Sequence, residues 1–168
     1  MFDLTSRAIL SDDHKHRFWL SRQWATGPLV IFVMHNPSTA DADIDDPTIR
    51  RCIAFAEQWG YGGLGVVNRF SIRSSNPDDL WKTAYPNHQI NDKILNHVVE
   101  KCESIVAAWG KHGKNAYQRS VISERDNFIF NLCHRYKRNI SYIEVTKEGI
   151  PRHPLYLKGN LLPKMLSF

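Results

Sequence analysis

The sequence predicts an α/β domain of three layers, in which helices cover both faces of a four-stranded, mainly parallel sheet preceded by a β-hairpin. Three observations carry this expectation. Four short apolar runs, 29–34, 64–67, 105–108 and 140–145, are largely free of polar alternation, as strands covered on both faces are. Segments with apolar residues at helical spacing lie between them. Each run also leads into a small polar signature, and in open parallel sheets the crevice that binds ligands lies at the carboxyl ends of the strands.

In order along the chain, residues 7–11 and 17–20 flank the polar cluster Asp12-Asp13-His14-Lys15-His16 and read as the hairpin. The first buried strand follows Thr26-Gly27-Pro28. A loop from 35 to 46 then carries Asp41, Asp43, Asp45 and Asp46 and ends at Pro47, a residue favoured in the first turn of a helix, with Asp45 or Asp46 as its cap. Ile49, Cys52, Ile53, Phe55 and Ala56 mark the buried face of that helix, and Gly60, Gly62 and Gly63 end it. Beyond the second strand, residues 69–89 form a long polar loop of the kind that is commonly functional. Asn91 is expected to cap a helix reaching Cys102, and a further helix over 116–136 precedes the fourth strand. Right-handed crossovers place these helices on both faces.

A chain of 168 residues, 42% hydrophobic and 23% charged, fits one soluble domain spanning 1–168. No apolar stretch approaches the roughly 20 residues that cross a bilayer, so no membrane partner is expected. No secretory leader is apparent at the N-terminus. Cys52, Cys102 and Cys133 lack metal or disulfide spacing, which favours a reducing cytoplasm. The net charge of +5 favours an anionic partner. There is no phosphate-binding P-loop, no dinucleotide fingerprint, no H-E-x-x-H and no nucleophile elbow. No cofactor and no metal site is predicted.

The strand endings are Met34-His35-Asn36-Pro37-Ser38, Val66-Val67-Asn68-Arg69-Phe70, Ala108-Trp109-Gly110-Lys111-His112 and His153-Pro154-Leu155. In this order they resemble the signatures of uracil-DNA glycosylases. That resemblance implies a glycosylase-like fold and an N-glycosidase acting on DNA or a nucleotide, with a modified base among the substrates. Asn36 would hold the attacking water and His153 would contact the departing base, making these two the catalytic pair. His35, Pro37, Ser38, Asn68, Trp109, Gly110 and His112 would surround the substrate, Asn68 reading the edge of the base. Arg69, Arg73, Lys111, Lys114 and Arg152 would meet phosphates, and Leu155 or Tyr156 would fill the space left by a flipped base.

More closely, the chain resembles an uncharacterised bacterial and phage family through Asn36 to Asp41, Asp45 to Cys52, Trp59 to Gly63, Val66 to Asn68, Ala108 to Gly113 and Arg152 to Leu157. That resemblance carries no activity. Each residue also has a structural reading. Asn36 is a turn residue before proline, Asn68 satisfies loop backbone, Trp109 fills the core, and the aspartates form a helix cap and a solvated loop. A non-catalytic nucleic-acid or nucleotide-binding module, or a different nucleotide-processing enzyme, would use the same crevice.

Overall fold

The computed structural model describes residues 7–166. Among these, β1 (Ala8–Leu10), β2 (Arg17–Gln23), β3 (Leu29–Met34), β4 (Gly63–Asn68), β5 (Ser104–Ala107), β6 (Ile140–Tyr142) and β7 (Lys164–Met165) form one sheet in the order β1-β2-β4-β3-β5-β6-β7. Strands β4, β3, β5 and β6 run parallel to one another, while β2 lies antiparallel on β4 and β7 antiparallel on β6. The expected sheet of four strands is therefore corrected to seven. The hairpin is no appendage, because the register Leu20↔Val66 to Gln23↔Gly63 zips it onto β4. Without it β4 would be an edge of unpaired N–H and C=O groups. Residues beyond Tyr142 leave β6 early, and Val145 instead bridges Pro151.

Helix α1 (Pro47–Gln58) starts as its sequence dictates. Asp46 accepts a hydrogen bond from the Ile49 N–H at 2.9 Å, and Pro47 occupies the first turn, where its missing N–H costs nothing. Helix α2 (Gln89–Lys101) is capped by the His88 ring accepting from the Ile90 N–H, so Asn91 is not the cap. Asn91 is buried, and its amide donates to the Asn68 carbonyl at 3.0 Å, tying the helix to the end of β4. Helix α3 (Ala116–Arg135) is capped by Asn115, which accepts from the Gln118 N–H.

The period-two pleat divides the strand residues between two cores. Val33, Val67, Ile105 and Trp109 pack with Ile94, Val98, Ile129 and Leu132 of α2 and α3. Phe32, Met34, Val66 and Ala108 pack with Ile49, Cys52 and Phe55 of α1. The sheet thus lies between one helix and two. Gly65 is required where Trp19 crosses β4, since a Cβ there would lie 2.2 Å from the indole. The three cysteines are free and buried. Among the described residues no helix is long and apolar enough to cross a membrane.

Candidate active site

At the carboxyl ends of β3, β4 and β5 the parallel register sets Met34 beside Asn68 and Val33 beside Ala107. The chain leaves all three strands on the same side, and the segment 146–156 returns there. The result is a cleft of about 650 Å³. His35, Asn36 and Ser38 line it from β3, Asn68 from β4, and Gly110, Lys111 and His112 from β5. Arg152, His153, Leu155 and Tyr156 enter from the last loop. Arg17 of β2 and the start of α1, Asp46 to Ile49, complete the wall. Residues more than a hundred positions apart thus share one recess.

Hydrogen-bond partners set the tautomer of three histidines. The Arg69 guanidinium donates to His35 Nδ1 at 2.8 Å, and because guanidinium has no acceptor, the imidazole proton is on Nε2. His112 donates from Nε2 to the Trp109 carbonyl at 2.8 Å, which leaves Nδ1 as its acceptor. The Leu155 N–H donates to His153 Nδ1 at 3.3 Å, so His153 presents Nε2–H. Burial, with Arg69 close by, holds His35 far below the usual imidazole range. Burial and then Arg69 push His112 down to about 4. Burial lowers His153 as well, partly offset by the Asp46 carboxylate. All three are neutral at pH 7.

These depressed values have a measurable consequence. The unfolded histidines take up protons below about pH 6.5 while the folded ones do not, so stability present above that pH is lost as pH falls. His35 and His112 together are expected to remove roughly 2 kcal/mol between pH 6 and pH 5. Denaturant unfolding at the two pH values measures it. A flat profile would contradict neutral, buried rings.

Asn36 spends both amide hydrogens on the loop, donating to the carbonyls of Pro37 (3.0 Å) and Ser74 (2.9 Å). Only its Oδ1 is left for the cleft. Of the four aspartates, Asp46 alone lines the recess; Asp45 pairs with Arg22 at 2.8 Å, Asp41 accepts from the backbone of Asp43 and Ile44, and Asp43 faces Arg7. Asp46 is therefore both helix cap and cleft carboxylate. Arg17, which sequence reading placed only in a hairpin strand, is buried, donates to the Ala40 carbonyl at 2.6 Å and feels the Asp46 charge. Burial lowers its guanidinium to about 10, still charged at neutral pH. A lone arginine opening the run Phe18-Trp19-Leu20 was the available signal.

Several expectations are corrected. Trp109 is 1% exposed in the core under α2 and α3 and does not wall the cleft. Arg69 is also 1% exposed; it pairs with Asp126 at 2.7 Å and is out of reach of a phosphate. Its guanidinium lies over the Trp109 ring. Pro37 is buried and is not among the residues that line the cleft, and its carbonyl accepts from Ser74 N–H and Asn36. Arg73 braces loops by donating to the carbonyls of Ser38, His14 and Thr39. Lys111 and Arg152 stand at the rim in pairs with Glu148 (2.8 Å) and Glu144 (2.7 Å), and Lys114 pairs with Asp78 outside the main cleft. Exposed pairs of this kind are worth about 0–1 kcal/mol and exchange readily for another anion. Leu155 and Tyr156 project from the short 3₁₀ helix Pro154–Tyr156, the tyrosine 76% exposed.

Gly110 holds the floor open between two histidines. Its φ of +74° suits glycine, and a Cβ there would lie 3.2 Å from that of His153. Among the described residues no three His, Cys, Asp or Glu side chains gather to hold a metal ion. The cleft thus offers fixed hydrogen-bond donors, one carboxylate and a buried arginine, a set suited to binding and acid–base chemistry.

No curated protein and no solved structure matches the chain. One family model does match, over residues 17–155, a span that opens on Arg17, closes on Leu155 and contains every cleft residue named above except Tyr156. Its description is protein of unknown function, DUF1643, and the chain belongs to that family.

Proposed function

We propose that the protein hydrolyses an N-glycosidic bond to a nucleobase, in a substrate whose reacting unit is one nucleotide, free or turned out of a DNA strand. The observation that carries this reading is the meeting of His153, Asp46, Asn36 and Asn68 in one cleft. A volume of about 650 Å³ suits a single nucleotide unit. The order of the strand endings, similar to that in uracil-DNA glycosylases, supports the same reading and a glycosylase-like relationship of the fold.

Breaking the bond sends its electron pair to the base nitrogen while positive charge grows on the sugar. His153 Nε2–H stabilises the negative charge spreading to a base oxygen, and a neutral donor preorganised in a recess suits that task. Asn36 Oδ1 orients the water. Its oxygen attacks the anomeric carbon, and its proton passes to Asp46, which removes the difficulty that an amide is no base. The negative charge of Asp46 also favours the developing sugar cation. Asn68 reads the base edge through its amide. In this reading Leu155 and Tyr156 fill the gap left by a flipped base, and Lys111 and Arg152 trade their glutamates for phosphate.

The test is release of free base from oligonucleotides and nucleotides carrying uracil or modified pyrimidines. Release that falls by about 10²–10³-fold in His153→Ala is expected. A folded protein that releases no base from any of them overturns the proposal. Asn36, an amide at the water-binding position, favours a second reading as a binding module. Nucleotide binding without turnover would select it.

A further inference from the structure

His35 has a chemistry independent of which bond the cleft breaks. The ring is 3% exposed, stacked on His112 at 3.8 Å with the planes 6° apart and set edge-on to Phe70. It borders both the main cleft and a smaller hollow of about 300 Å³ formed with Trp81 and Lys114. Nδ1 is occupied by Arg69, whereas Nε2 is buried and has no partner among the described residues. A buried donor left unsatisfied costs about 1–3 kcal/mol, and native structures rarely leave one. Behind Arg69 stands Asp126 at 2.7 Å. For both members of that pair burial outweighs their mutual attraction, which makes it a poor device for stability. What the pair does accomplish is geometric, since it holds the guanidinium on His35 and leaves the ring one tautomer.

We infer that His35 is a ligand-binding residue, donating from Nε2–H to an oxygen without hydrogen on the occupant of the cleft, and that Arg69 and Asp126 are positioning residues that fix this tautomer. An oxo group of a base and an oxygen of a phosphate share that chemistry. An amino group would set N–H against N–H and is refused. The charged and titratable groups facing the ring, Arg69, His112 and His153, all oppose its protonation, so the donor persists across the neutral range.

The full chain labelled with ¹⁵N in its histidines tests this by long-range ¹H–¹⁵N spectra, with uridine, inosine and inorganic phosphate added separately. His35 is expected to show the neutral Nε2–H pattern from about pH 5.5 to 8. At least one probe should move its proton downfield. A response to uridine or inosine alone assigns a base oxo group, and a response to phosphate alone assigns a phosphoryl oxygen. His35→Gln, which keeps an N–H donor, should bind the responding probe within about threefold of the wild type, and His35→Phe at least about tenfold more weakly. Asp126→Asn should bring the Nδ1–H tautomer into view. A ring protonated on Nδ1 in the wild type, a His35 signal unmoved by all three probes, or undiminished binding by His35→Phe overturns the inference. Base release is not the readout, so a failed glycosidase proposal and a failed role for His35 give different results.

Discussion

His153→Ala is expected to lower base release by about 10²–10³-fold, the usual cost of removing one preorganised donor from a developing oxyanion. The ring also accepts from the Leu155 N–H and so shapes the turn carrying Leu155 and Tyr156. Alanine would remove both functions, and His153→Asn separates them. Asparagine retains an acceptor close to the backbone but is too short to place a donor where Nε2 stands. Activity should stay low in both variants, while the unfolding midpoint of His153→Asn should match the wild type. Recovery of activity by His153→Asn would show that the ring only shapes the turn. Rates from single-turnover base release and midpoints from denaturant melts decide between these outcomes.

Asp46 gives the second large effect, and its double role makes the choice of substitution matter. Asp46→Ala removes the cap on Ile49 N–H and should cost about 1 kcal/mol of stability as well as activity. Asp46→Asn keeps an equally good capping oxygen and removes the charge, together with its attraction for the buried Arg17. It is therefore expected to keep the fold at a somewhat lower unfolding midpoint, yet release base about 10²–10⁴-fold more slowly, as loss of a general base implies. An Asp46→Asn protein with full activity would leave Asn36 to position the water without a base and would reduce Asp46 to a helix cap.

The elements along the chain were largely legible in the sequence, because each rests on a local rule. Continuous apolar runs placed β3, β4 and β5, and Pro47 after Asp46 placed the start of α1. The misplaced start of α2 shows the limit of such rules. Asn91 has the chemistry of a cap, but three-dimensional packing uses it to hold the Asn68 carbonyl, and His88, a weaker capping type, serves instead. Likewise the hairpin was readable as a hairpin, whereas its docking on β4 depends on which edge the finished sheet leaves bare.

The same division runs through the candidate site. That Asn36, Asn68, His112 and His153 would share one recess followed from four strand endings and the geometry of parallel sheets. Which neighbouring residues join them did not. Arg69 and Lys111 are both basic residues just past a strand end, and only the pleat, which turns Arg69 under the sheet toward Asp126, separates a buried clamp from a rim charge. Asp46 could not be told from Asp41, Asp43 and Asp45 until the direction of α1 aimed one carboxylate inward.

From its sequence, then, the chain determined its α/β class, the order of its elements and the end of the sheet where the residues of the candidate site gather, since these follow from residue periodicity and local chain stereochemistry. Tertiary structure decided the seventh strand, the burial of Trp109 and Arg69, the choice of Asp46, and the protonation state of every histidine in the cleft. Burial and tautomer are set by atoms brought together from distant segments, and no spacing within the sequence encodes those distances.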